Sequence, residues 1–212
     1  MTCPICGKRK AKRFCPARGE NICSVCCGTE REVTIDCPSD CPYLVASREY
    51  DEARRQVDWE KIPFPDVEIP FEFAESHTPL MMALISSIWE YARDHRQVVD
   101  SDVIAALQAL AETYRTLSSG IYYERTPDYL YRRELYQALK DTLERFKQAE
   151  SQRLGLATTR DSEIRDALIY LTQSGASREN GRPKSRAFLD LIRTQLGARD
   201  SEKPASNIVL LP

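Results

Sequence analysis

All eight cysteines of this chain lie between Cys3 and Cys41, in the order CPIC, Cys15, CSVCC and CPSDC, and the 171 residues that follow contain none. A random scatter would place them all there with a probability on the order of 10⁻⁶, so the clustering reflects a site. The pairs Cys3/Cys6 and Cys23/Cys26 have the spacing that lets one turn present two sulfurs to one ion. Four thiolates at about 2.3 Å satisfy Zn²⁺, a d¹⁰ ion with no geometric preference of its own. Eight cysteines close two such shells. The expectation is therefore two structural zinc ions held by Cys3, Cys6, Cys15, Cys23, Cys26, Cys27, Cys37 and Cys41.

Three other chemistries use clustered cysteines. Disulfides belong to oxidising compartments and usually follow a signal peptide. The chain opens MTCPICGKRK, without an apolar h-region, so the expectation is a cytoplasmic protein. There, paired CxxC spacing reads as metal binding ahead of redox-active thiols. An iron–sulfur cluster also takes four thiolates, and visible absorption distinguishes it from zinc.

Short gaps between ligand groups suit an interleaved arrangement in which the first and third groups share a metal. The first ion then takes Cys3, Cys6, Cys23 and either Cys26 or Cys27. The second takes Cys15, Cys37, Cys41 and the remaining one of that adjacent pair. The run CPIC–x8–CPAR–x4–CSVCC resembles the cross-brace zinc fingers of the B-box and HIT types over about 40 residues. Those families place a second cysteine where this chain has Arg18, and often His where it has Cys37 and Cys41. The resemblance implies protein–protein contact, and Cys27 is one candidate for the sulfur missing at position 18.

The same module carries a basic run, Lys8, Arg9, Lys10, Lys12 and Arg13, which raises a nucleic-acid reading. Residues 1–41 hold seven Lys/Arg against five acids. Eight thiolates and two Zn²⁺ bring four net negative charges, leaving the loaded module near −2, so much of the run is expected to offset its own sulfurs. Glu30 and Glu32 read as ordinary solvated charges.

The remainder reads as helix. Leu44, Tyr50, Ala53 and Val57 recur at near-helical spacing and predict a connecting helix over 44–58. Pro63, Pro65, Pro70 and Pro79 then favour an extended segment over 59–78, whose Phe64, Phe71 and Phe73 are expected to lie against the helical body. Thr78-Pro79 opens a helix that is apolar almost all round, as in the centre of a bundle. Further helices are predicted from Ser101 to a stop at Gly120, from Thr126-Pro127 to about Gln152, and over Asp161–Gln173 and Pro183–Leu196, closed by Gly175 and Gly197. The fold class is thus mostly α: a two-zinc module (1–43), then a bundle of about five helices (79–197) and a tail (198–212) ending in the apolar run Ile208–Leu211.

Catalytic patterns are sparse. His77 and His95 are expected at the surface or as helix caps, and no Glu-x-x-His, P-loop, GxGxxG or HExxH pattern occurs. Tyr122, Tyr123, Tyr129, Tyr131 and Tyr136 alternate with Arg125, Arg132 and Arg133. This stretch fits a helix–loop–helix corner, with a protein interface or base stacking as functional alternatives. No apolar run reaches the length of a membrane span. With 42% hydrophobic and 29% charged residues, the chain reads as a folded zinc-binding adaptor that acts through a protein partner. A nucleic-acid-binding regulator using Lys8 to Arg13 is the alternative, and an enzyme of unknown reaction in the bundle the third.

Overall fold

The structure, a computed structural model, describes residues 1–70, 72–117, 120 and 122–201, the last four by backbone alone. The apolar run Ile208–Leu211 and Phe71 lie outside the described residues. Among these residues the fold is mostly α, with eight α-helices and one two-stranded sheet.

The N-terminal module contains β1 (Arg13–Cys15) paired antiparallel with β2 (Glu20–Ile22), followed by α1 (Ser24–Glu30). Its small core is made of the cysteines themselves with Ile22 and Ile35. From Cys41 the chain enters α2 (Pro42–Glu52), with Pro42 in the first turn, where its missing N–H costs nothing. Only Leu44 of the predicted stripe is buried. Tyr50 is exposed and carries the Arg54 guanidinium 3.8 Å over its ring.

The proline-rich segment is less extended than its composition predicts. A 3-10 turn forms at Trp59–Lys61 and a five-residue helix, α3 (Glu72–Ser76), follows Pro70, since prolines forbid a helix only where they interrupt it. Phe64 is buried and Phe73 packs on the bundle core. Phe64 has φ +60°, and Gln173 holds this bend by donating to the carbonyls of Phe64 and Val67 at 3.0 and 2.9 Å.

Five long helices form the bundle: α4 (Thr78–Asp94), α5 (Asp100–Leu117), α6 (Leu130–Leu154), α7 (Asp161–Ala176) and α8 (Ala187–Ser201). α4 and α5 each pack on α6, α7 and α8, with the most extensive contact between α5 and α7. α4 is therefore not the sole centre. It buries Leu80, Leu84 and Ile88 while Met82 and Trp89 stay half-exposed, and α5 buries Val103, Leu107 and Leu110. Each fully buried leucine contributes about 1.5–3 kcal/mol of transfer free energy.

The helix ends differ from expectation in three informative places. Thr126-Pro127 lies outside any helix, and α6 starts at Leu130. Gly175 does not close α7 but lies inside it. An added Cβ there would meet Ile104 and the Phe188 ring at 3.0 Å, so the glycine permits close approach of α5, α7 and α8. Gly197 likewise lies within α8. Both histidines sit at the two ends of α4, His77 stacked on Phe73 and His95 on Tyr91.

Two buried acids join these parts. Asp100 opens α5, yet its carboxylate accepts the backbone N–H of Phe188 (3.0 Å) and Leu189 (3.1 Å) and the Ser185 hydroxyl (3.0 Å). It thus caps α8 from across the bundle, satisfying donors that a helix start leaves without partners. Glu32, expected in solvent, is 2% exposed. Its carboxylate accepts from Arg48 (2.7 Å) and Asn180 (3.0 Å), and Arg48 also bonds Asp190. The Glu32 carbonyl receives the Lys184 N–H at 2.8 Å. This network fastens the cysteine module to α2, α8 and the loop before α8.

Candidate metal centre

The first turn of the chain builds half of a metal shell from backbone alone. After Cys3-Pro4-Ile5-Cys6, Gly7 takes φ +61° and donates its N–H to the Cys3 carbonyl at 2.8 Å. A side chain at that position would be strained. The turn aims the amides of Lys8 and Arg9 at the Cys6 sulfur, which pull this thiol down to about 6 against the opposing effect of burial. Burial pushes Cys3 up, but amides of Cys23, Cys6 and Ile5 more than reverse it and leave its pKa below the ordinary thiol value.

The other half comes from the start of α1. Cys23 occupies the N-cap position and its sulfur accepts the Cys26 N–H at 3.4 Å. This places Cys23 and Cys26 one helical turn apart, facing Cys3 and Cys6. The four sulfurs lie within 4.8 Å of one another, and Cys6 and Cys23 are 3.9 Å apart. A tetrahedron of thiolates at about 2.3 Å from a central ion has edges of about 3.8 Å, so the geometry matches a metal shell. It is far from a disulfide, whose bond is about 2.05 Å, and all eight cysteines are free. Burial lifts Cys26 to about 12, reinforced by hydrogen bonding with Cys23, Cys6 and Cys3. Four sulfurs cannot all ionise side by side without a cation between them. A metal held there would supply that cation.

The first and third groups of the chain thus do converge, and the adjacent pair is resolved. Cys26 joins the shell, whereas Cys27 points elsewhere and receives an Arg31 N–H at 3.8 Å. Among the described residues no other group of His, Cys, Asp and Glu is drawn together in this way. The remaining cysteines are nonetheless neighbours. Cys15, Cys27 and Cys37 belong to one packed cluster, and Cys37 lies close enough to Cys41 and Cys15 to be influenced by both. Burial raises the Cys37 thiol, the Glu32 amide opposes this, and those two thiols reinforce the rise.

Arg18 has a structural explanation. The stretch Cys15-Pro16-Ala17-Arg18-Gly19 makes the same turn as Cys3 to Gly7: Gly19 has φ +67° and donates to the Cys15 carbonyl at 2.9 Å. The turn persists while its second ligand position holds Arg18, which pairs with Glu20 at 2.7 Å.

The tyrosine stretch divides. Tyr136 is fully buried and bonds Glu124 (3.0 Å) and Thr113 (3.1 Å), and Lys140 closes on Glu124 at 3.0 Å. Tyr122, Tyr123 and Tyr129 are each more than 60% exposed. Glu124, absent from the sequence reading, organises this corner, and no spacing rule marks it.

Comparison with protein-family models, with curated proteins and with solved structures returns no match. No helix among the described residues is long and apolar enough to cross a membrane.

Proposed function

We propose that the chain is a zinc-binding adaptor whose N-terminal module holds two structural Zn²⁺ ions and presents a protein-binding surface. The observation that carries this reading is the set of four sulfurs of Cys3, Cys6, Cys23 and Cys26, gathered within 4.8 Å. A closed four-thiolate shell keeps no position for water, so its metal shapes the chain and does not activate a substrate. Thiolates select zinc over the hard cations Mg²⁺ and Ca²⁺. The second ion takes Cys15, Cys27, Cys37 and Cys41, which drawing together on metal would complete. A cytoplasmic location is part of this reading, since cysteines that hold metal in place of disulfides suit a reducing compartment.

Metal analysis of the full chain, purified without chelator, should find close to two zinc per chain and no visible absorption band. Cys26→Ser should empty the first site, and Cys27→Ser should lower the content to about one while sparing the first. A Cys27→Ser protein that keeps both ions would remove Cys27 from the second shell. For the adaptor role, affinity purification of the wild-type chain should retain a stoichiometric protein partner that Cys23→Ser/Cys26→Ser loses. A partner indifferent to zinc, or none, would overturn that role.

A further inference from the structure

The basic run acquires a definite shape in the folded module. Lys12 donates its N–H to the Ile22 carbonyl at 3.0 Å, and Thr2 and Lys10 form an antiparallel bridge, so the backbone stays extended from Lys10 into β1. Side chains in such a stretch alternate between faces. Cys15 turns inward, and Arg13, on the same side, stacks its guanidinium 4.7 Å from the Tyr43 ring. Lys10, Lys12 and Phe14 take the opposite side and are exposed, as is Asn21, the cross-strand partner of Phe14. Phe14 leaves 56% of its surface in water.

The cations here are not committed to the sulfurs. Hydrogen bonds to Cys6 come from the backbone amides of Lys8 and Arg9, leaving their side chains to solvent. Among the described residues, Lys8, Arg9, Lys10 and Lys12 form no side-chain hydrogen bond or ion pair. Of the module's five acids, Glu20 on β2 is paired with Arg18, Glu30 bonds Thr34, Glu32 faces the bundle, and Asp36 and Asp40 line a cleft with Arg93 and Arg186. The near-balanced charge of the loaded module therefore conceals a positive, aromatic-bearing end.

We propose that this end, with Lys8, Arg9, Lys10 and Lys12 for phosphates and Phe14 as a stacking platform, binds single-stranded nucleic acid. The chemistry favours a single strand over a duplex or an acidic peptide. An exposed ring on a strand face can stack on an unpaired base, which a duplex hides, and neighbouring cations track a flexible phosphate chain. An acidic peptide uses the charges and has no use for the ring.

The test is fluorescence anisotropy of the zinc-loaded full chain with a labelled oligothymidine of about 20 nucleotides, alongside a duplex and a polyglutamate peptide. Log affinity should fall with log salt at a slope of about −3, as expected for four phosphate contacts to a single strand. Phe14→Ala should weaken binding by about tenfold with the slope unchanged. Lys10→Gln/Lys12→Gln should lessen the slope by about 1.4. Each variant's zinc content and far-UV spectrum check that the module is intact. Absence of binding at about 50 mM salt, where phosphate contacts are strong, would overturn the proposal. So would wild-type affinity in Phe14→Ala, equal affinity for the duplex, or equal competition by polyglutamate.

Discussion

Glu32 does more than any other non-cysteine residue to join the two parts of the molecule. It has φ +53°, a conformation uncommon outside glycine. In return its carboxylate holds Arg48 and Asn180, its carbonyl holds Lys184 and its amide acts on Cys37. The Glu32 and Arg48 side chains are 3% and 21% exposed. Removing one member of a largely buried pair leaves the other charge poorly compensated, at a cost of about 3 kcal/mol or more when burial is complete. Asp190 still bonds Arg48 at 2.5 Å, which moderates the loss. Glu32→Ala should therefore lower urea stability by about 2–3 kcal/mol. Glu32→Gln, which keeps acceptor and shape, should lose about half as much. Equal stability of Glu32→Ala and wild type would show that the network holds nothing.

At the scale of elements, α8 is anchored by a cap that its own segment does not contain. Ala187 starts the helix after Ser185-Arg186, and the acceptor for its first N–H groups is Asp100 of α5. Burial raises the Asp100 carboxyl to about 6, opposed by the amides of Phe188 and Leu189 and by Ser185. A folded-state pKa above the unfolded value means that the native state binds the proton more tightly. Its stabilising contribution is complete below about 3.8 and is lost as the pH rises through about 6. The stability difference between wild type and Asp100→Ala should thus be largest near pH 4. It should shrink by an amount on the order of 2–3 kcal/mol by pH 7, read as paired urea melts in which titrations common to both proteins cancel. A difference that grows with pH would refute the raised pKa.

At the scale of the whole molecule, the cysteine cluster and the bundle have separate apolar cores, joined by polar contacts. Small metal-held modules draw their folding free energy from ligation, whereas the bundle buries its own leucines. Chelation should release residues 1–41 to proteolysis while most far-UV helicity survives. Arg48 would then lose Glu32, so the thermal midpoint of the bundle should fall by several degrees. Complete loss of helicity on chelation would mean that the bundle cannot stand without the module.

The sequence alone determined the mostly α architecture and the convergence of Cys3, Cys6 and Cys23, because both rest on local rules. Apolar spacing marks helix faces, and CxxC spacing sets two sulfurs on one turn. The choice between Cys26 and Cys27 needed the helix: only the start of α1 at Ser24 decides which of two adjacent sulfurs faces Cys3 and Cys6. Gly175 shows the same limit, since a glycine near a helix end reads as a stop until Ile104 and Phe188 are found against it. Glu32 and Asp100 were illegible for a stronger reason. A carboxylate in a sequence is a solvated charge by default, and what buries it lies more than 80 residues away, at Asn180 for one and Phe188 for the other. Only the tertiary structure brings those donors close enough to offset the cost of taking a charge out of water.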